Sequence, residues 1–152
     1  MTDTLTTNSK AGAQWSDYYE LCKPNVVYLM LLTSVIGMFM STPGSVPWQI
    51  LIFGNIGIGL CAAAGAVINH TVDQRIDILM ARTHNRPVAQ GRVSRTGASI
   101  FAVVLAVAGM LILLVMVNQL TAWLTLFSMV GYAGIYTLWL KRATPQNIVV
   151  GG

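Results

Sequence analysis

Asn69, Asp73 and Asp77 follow one another at intervals of four, and Arg82 and Arg86 repeat that interval just beyond them in "NHTVDQRIDILMARTHNRP". On a helix each step of four advances about 6 Å along the axis, so the three oxygen-bearing side chains would be successive neighbours. Two like charges so placed repel by roughly 0.2–0.5 kcal/mol. Near a helix C-terminus the macrodipole disfavours them further. Helix stability does not ask for this arrangement, whereas a divalent cation would relieve both penalties. One Asn and two Asp offer only oxygen, which suits Mg²⁺, a cation that takes one or two carboxylates and completes its shell with water and substrate phosphate. The guanidinium groups that follow match phosphate oxygens. From Asn69 to Arg95 five basic residues, Arg75, Arg82, Arg86, Arg92 and Arg95, face two Asp, a balance of +3. An anionic, diphosphate-like substrate is implied. The plainer alternative is a solvated face of a cytoplasmic loop; against it, the acids begin where an apolar run ends.

Soluble-type phosphate motifs are absent: there is no G-x-x-x-x-G-K-[ST] and no G-x-G-x-x-G. "GNIGIG" at 54–59 lies inside an apolar run without a basic neighbour and reads as helix packing. His70 borders the acidic ridge and His84 lies beyond it; each is an ordinary interfacial histidine or a metal or haem ligand. Cys22 and Cys61 have no metal spacing and read as packing residues. Nothing points to nucleic acid as a partner.

The elements that must carry these residues are apolar. The 152 residues are 55% hydrophobic and 9% charged, with mean hydropathy +0.64. Too few polar side chains exist to cover a water-soluble globule. The chain reads as an all-α polytopic membrane protein with four transmembrane helices at about 25–41, 48–68, 97–117 and 120–140. Between the second and third lies a cytoplasmic active-site segment, 69–95, and before the first a disordered tail, 1–15. The last three runs reach the ~20 residues a spanning helix needs, and the first is near the lower limit. All nine Lys/Arg fall on one side of this up-and-down path, while "STPGSVP" and "NQ" carry no charge. The positive-inside rule puts the tail, the 69–95 segment and the C-terminus in the cytoplasm. The two-residue connection Asn118–Gln119 forces the last two spans into an antiparallel hairpin. Trp48, Trp123 and Trp139 fall near span ends, at headgroup level. Gly57, Cys61 and Gly65 form a small-residue ridge that lets helices approach, and Asn69, Asp73 and Asp77 continue it.

N-x-x-x-D-x-x-x-D at the end of a second span resembles the first aspartate-rich motif of the UbiA-type intramembrane prenyltransferases. "KPNV" before the first span, "MARTHNRPVAQGRVS" after the acids and "YTLWLKRATPQNIVVGG" after the fourth narrow the resemblance to the branch that farnesylates haem. The resemblance implies transfer of a farnesyl group from farnesyl diphosphate to a vinyl group of protohaem IX, at a bacterial inner membrane. It implies Mg²⁺ on Asn69, Asp73 and Asp77. It also implies that Arg82, Arg86, Lys141 and Arg142 bind diphosphate or a haem propionate. Members of the family have about twice this length, nine spans and a second acidic motif. The chain is therefore expected to be an N-terminal part of a nine-helix bundle, inactive without its C-terminal half. Two other readings remain: a relative that prenylates another aromatic or tetrapyrrole acceptor, and a transporter or scaffold subunit. The latter predicts ionisable residues inside the spans; the last three spans have none.

The charge asymmetry makes a topology prediction. Reporter fusions at Pro43, Arg86, Asn118 and Gly152 should read outside, inside, outside, inside. An outside signal at Arg86 would overturn the cytoplasmic placement of the acidic segment.

Overall fold

The computed structural model describes residues 12–81, 83–140 and Ala143. Most of the expected tail, and three of the expected anion-binding residues (Arg82, Lys141, Arg142), lie outside the described residues. Among those described there is no strand. The elements are α1 (Trp15–Leu21), α2 (Pro24–Ser41), α3 (Trp48–Asp77), α4 (Arg95–Ile112) with a π-helical turn at Leu113–Val117, and α5 (Gln119–Val130) continuing as π-helix through Gly131–Leu140. Among the described residues three stretches are long and apolar enough to cross a membrane: Pro24–Ser41, Trp48–Arg75 and Arg95–Val117. The fourth apolar run is helical but is divided between a 12-residue α-helix and a 10-residue π-helix.

Local chemistry sets the boundaries. Lys23 adopts the left-handed conformation (φ 48°) ahead of Pro24, whose fixed φ starts α2. A left-handed non-glycine residue costs about 1–2 kcal/mol, and here it forms the corner between α1 and α2. The Ser94 Oγ accepts from the Gly97 N–H (3.0 Å) to begin α4, and the Asn118 Oδ1 accepts from the Thr121 N–H (2.7 Å) to begin α5. That Asn118 cap lets α4 and α5 turn back on each other through a single non-helical residue.

Helix α3 is the axis: α1, α2, α4, α5 and both π segments all touch it, and α4 touches it most. Its small-residue ridge explains the α3–α4 contact. A Cβ added to Gly109 would come within 2.7 Å of Cys61 Sγ and 2.8 Å of the Gly57 carbonyl oxygen; one added to Gly57 would meet Leu113 at 2.6 Å. The backbones therefore approach as closely as glycine allows. Cys61, Leu113 and Ala122 form a buried cluster around this contact. Helix α2 buries no residue fully and leaves Leu29, Leu32, Ile36 and Phe39 exposed, as a lipid-facing helix would. Trp48, Trp123 and Trp139 are exposed as well.

A second core lies at the charged end, where Leu21, Val67, Val88, Val93, Ala98 and Ala102 are buried together. Leu21 brings in α1, an element the sequence reading assigned in its first residue to a disordered tail. The physical reason is partnered charge: Asp17 is buried and accepts from Arg92, while its other oxygen accepts from the Gln14 N–H as a helix-start bond. Tyr18 packs edge-on against Phe101 of α4 at 4.9 Å. Burial pushes the Cys22 thiol above its ordinary pKa, which keeps it protonated and fits a packing role.

Because the Gly109 Cβ would meet backbone as well as side chain, Gly109→Val should force α3 and α4 apart. We expect a loss of about 1–3 kcal/mol, the usual cost of overpacking, read as a lower unfolding midpoint in detergent. Gly134→Val, in open space, serves as control; equal midpoints for the two variants would overturn the close-packing account.

Candidate active site

Helix α3 does not stop at the end of its apolar run but continues to Asp77, carrying Asn69, Asp73 and Asp77 on regular helix. All three are buried, at 4%, 2% and 4% exposure. That excludes the solvated-face alternative, because a solvated acid would not be sealed from water by its own chain. His70 is buried beside them, and His84 is exposed with Nδ1 2.7 Å from the Ala81 carbonyl.

Each oxygen face has its own setting. The Asn69 Nδ2 donates to the Tyr132 hydroxyl at 2.7 Å, linking α3 to the π segment after α5. The Asn69 Oδ1 is buried and meets no donor among the described residues. A buried acceptor left so costs about 1–3 kcal/mol. Asp77 accepts two bonds from one Arg86 nitrogen, at 3.0 and 2.8 Å, so the segment after α3 folds back over the acids. Arg86 thus does not point a free guanidinium into a site: it neutralises Asp77.

The segment 78–94 is built to hold this arginine. The Thr83 Oγ1 donates to the Asp77 carbonyl and satisfies an end of α3. Turn bonds run from the Thr83 and His84 N–H groups to the Met80 carbonyl, and from the Gln90 N–H to the Arg86 carbonyl. Gly91, at φ 73°, reverses the chain so that the Val93 N–H reaches the Pro87 carbonyl. Gln74 on α3 donates to the Val88 carbonyl at 3.0 Å, and Val88 and Val93 enter the core. Arg92 donates to Asp17 and, at 2.9 Å, to the Asn85 carbonyl. Among the five basic residues from Asn69 to Arg95, Arg92 is thereby structural, and Arg75 and Arg95 are exposed.

An apolar cavity of about 420 Å³ opens between α2, α3 and α5. Val26 and Met30 line it from α2, Ile58 and Ala62 from α3, and Leu124 and Met129 from α5. Lys23 and Tyr132 also line it, so the partner of Asn69 sits in the wall of the apolar space. Tyr132 was missed in the sequence. Its signal was there: Thr121, Thr125, Ser128 and Tyr132 are spaced as one stripe of hydroxyls along an otherwise apolar run, and all four line the cavity.

Among the described residues no three His, Cys, Asp or Glu side chains cluster as a metal site. Two carboxylates and an amide are what α3 offers. Their chemistry fits a hard cation that completes its shell elsewhere, and the orphaned, buried Asn69 Oδ1 has the character of an unused ligand.

An integral membrane protein that joins a buried oxygen face to a lipid-like cavity defines a class able to handle a substrate with an anionic head and an apolar tail. Residues 30–152 match the UbiA prenyltransferase family, and the chain belongs to that family. It is 61% identical over its whole length to the protoheme IX farnesyltransferase of Saccharophagus degradans, covering 50% of that protein. It is 63% identical over 93% of its length to protoheme IX farnesyltransferase 1 of Pseudomonas fluorescens, covering 48% of it. With the protoheme IX farnesyltransferase of Marinobacter nauticus the identity is 64% over 91% of the chain and 46% of the relative. The chain thus spans about half the length of the curated relatives it matches. No solved structure matches.

The Asp77–Arg86 pair should hold the segment 78–94 closed. In Arg86→Ala a buried carboxylate loses its cation, and backbone amides between Thr83 and Val93 should exchange hydrogen faster, with Arg86→Lys intermediate because it keeps the charge but loses the guanidinium geometry. Unchanged exchange in Arg86→Ala would show that the segment is held by Val88 and Val93 alone.

Proposed function

We propose that this chain contributes the first diphosphate site and part of the isoprenoid channel of an enzyme that transfers a farnesyl group from farnesyl diphosphate to a vinyl group of protohaem IX, giving haem O. The single observation that carries the reading is the bond from Asn69, the first of three buried oxygen-bearing side chains on α3, to Tyr132 in the wall of an apolar cavity. The names of the relatives supply the farnesyl donor and the haem acceptor.

In this reading the farnesyl tail lies along the cavity between α2, α3 and α5, where burial of each CH₂ contributes about 0.8 kcal/mol. The diphosphate lies at the charged end. Asn69, Asp73 and Asp77 would hold Mg²⁺, which when bound supplies positive charge for the departing oxygens. Arg86 stands ready at Asp77; diphosphate oxygens and metal together offer both partners of that ion pair a replacement, so substrate can part them without leaving either charge bare. Arg82, Lys141 and Arg142 are proposed to complete the clamp. The reaction breaks the allylic carbon–oxygen bond, with the electron pair leaving on diphosphate. The vinyl π pair forms the new carbon–carbon bond, and water that loses a proton completes the hydroxyethyl carbon. The apolar walls keep other water from the allylic carbon before the vinyl group reacts. The site segment faces the cytoplasm of a bacterial inner membrane, on the one-sided placement of Lys and Arg.

Membranes carrying the full-length protein, given protohaem IX, farnesyl diphosphate and Mg²⁺, should yield a farnesylated haem detectable by mass. Asp73→Asn and Asp77→Asn should each lower turnover by about 10²-fold or more, the usual loss when a transition-state charge contact goes, with membrane insertion unchanged. Near-normal turnover of both variants at limiting Mg²⁺ would sink the acidic-face reading. Transfer to another aromatic acceptor but not to haem would reassign the substrate.

A further inference from the structure

We propose that Tyr132 is a positioning residue for the metal-binding face: its hydroxyl pins the Asn69 amide nitrogen so that the amide oxygen is presented as a ligand. This rests on the reading of Asn69, Asp73 and Asp77 given above. An asparagine amide can turn over, and only its oxygen can ligate a hard cation. In the structure the nitrogen end is taken by the Tyr132 hydroxyl at 2.7 Å. The opposite end, Asn69 Oδ1, is then directed away from Tyr132, buried and without a donor among the described residues. One hydrogen bond therefore decides which end faces the site, as second partners of metal ligands generally do.

Tyr132 is itself held. Its ring lies against the α3 ridge, 3.6 Å from where a Cβ on Gly65 would be, and stacks on Tyr136 with centroids 5.6 Å apart and planes 13° from parallel. Its carbonyl accepts from the buried Thr137 hydroxyl at 2.8 Å. It lies one residue into the π-helix that begins at Gly131, where the hydrogen-bond ladder leaves the regular α-helical register. Because the ring also lines the apolar cavity, Tyr132 fixes where the ligand face ends and the tail space starts.

The test uses the full-length protein in nanodiscs, with Mn²⁺ as a paramagnetic probe titrated by its spin-resonance signal. Tyr132→Phe keeps the ring and its stack and removes only the hydroxyl. We expect its Mn²⁺ dissociation constant to rise about tenfold, in the range seen when such supporting partners are lost. The Mg²⁺ needed for half-maximal farnesyl transfer should rise in parallel, with turnover largely restored at saturating Mg²⁺. Tyr136→Phe should bind Mn²⁺ as the parent does. In an Asn69→Asp background, where both ends of the side chain are oxygen, Tyr132→Phe should have no further effect. Unchanged Mn²⁺ affinity in Tyr132→Phe, or an equal loss in the Asn69→Asp background, overturns the proposal. Asn69→Ala separates it from the reading beneath: if that variant loses Mn²⁺ affinity while Tyr132→Phe does not, only the role of Tyr132 fails. If Asn69→Ala and Asp73→Asn both bind Mn²⁺ normally, the metal face fails and Tyr132 with it.

Discussion

The contact on which the rest depends is the near-touching of two backbones, Gly57 of α3 and Gly109 of α4. Inside a bilayer no hydrophobic force draws helices together, because lipid is as apolar as leucine; association rests on packing and on hydrogen bonds. The glycine contact supplies packing at the shortest range available. With α3 and α4 fixed there, their charged ends are fixed too, and the segment 78–94 must span the gap between Asp77 and Arg95. Its turns, its buried Val88 and Val93, and the return of Arg86 to Asp77 all follow within that frame.

Burying carboxylates at the end of such a helix is costly, and the structure meets the cost locally. Asp77 has Arg86, and Asp17 has Arg92. In both pairs the carboxylate is sealed and the guanidinium reaches solvent; losing the arginine would leave a buried charge bare, so these pairs specify the arrangement even where they add little net stability. The two pairs differ in consequence. Arg92 and Asp17 tie α1 to the segment and have no reason to part, since Arg92 also holds the Asn85 carbonyl. Arg86 and Asp77 form a pair whose members each have another use in the proposed reaction.

The sequence made the helices and the acidic spacing legible, because hydropathy and the four-residue interval are local properties. Residues 48–77 could be read as a span that runs on into polar sequence, and Asn69, Asp73 and Asp77 as neighbours. The partners could not be read. Asp17 and Arg92 are 75 positions apart, and nothing local in "QWSDYYEL" marks Asp17 as the residue that Arg92 takes up. Arg86 was legible as a cation near acids but not as the one that Asp77 takes up, because that depends on how a turn-rich segment closes. Tyr132 was legible as one of a stripe of hydroxyls with Thr121, Thr125 and Ser128, but not as the partner of Asn69, 63 positions away.

Spacing by four also carries a geometric consequence that the ridge alone obscures. At 3.6 residues per turn each step of four overshoots by about 40°, so a row from Gly57 to Asp77 winds around α3 instead of staying on one face. The contacts record that winding. Gly57 meets α4, Gly65 meets Met129 and Tyr132, Asn69 bonds Tyr132, and Asp77 bonds the segment beyond α3. Small residues serve where α4 is closest, and oxygen ligands begin where the row has turned toward the π segment and the closing loop. The candidate site is therefore assembled by two elements, the π segment and the closing loop, around one helix. The register that lets α4 pack against Gly57 is the same register that delivers Asn69 to Tyr132 and Asp77 to Arg86, so an inserted or deleted residue between Gly57 and Asn69 could not preserve both the bundle and the site.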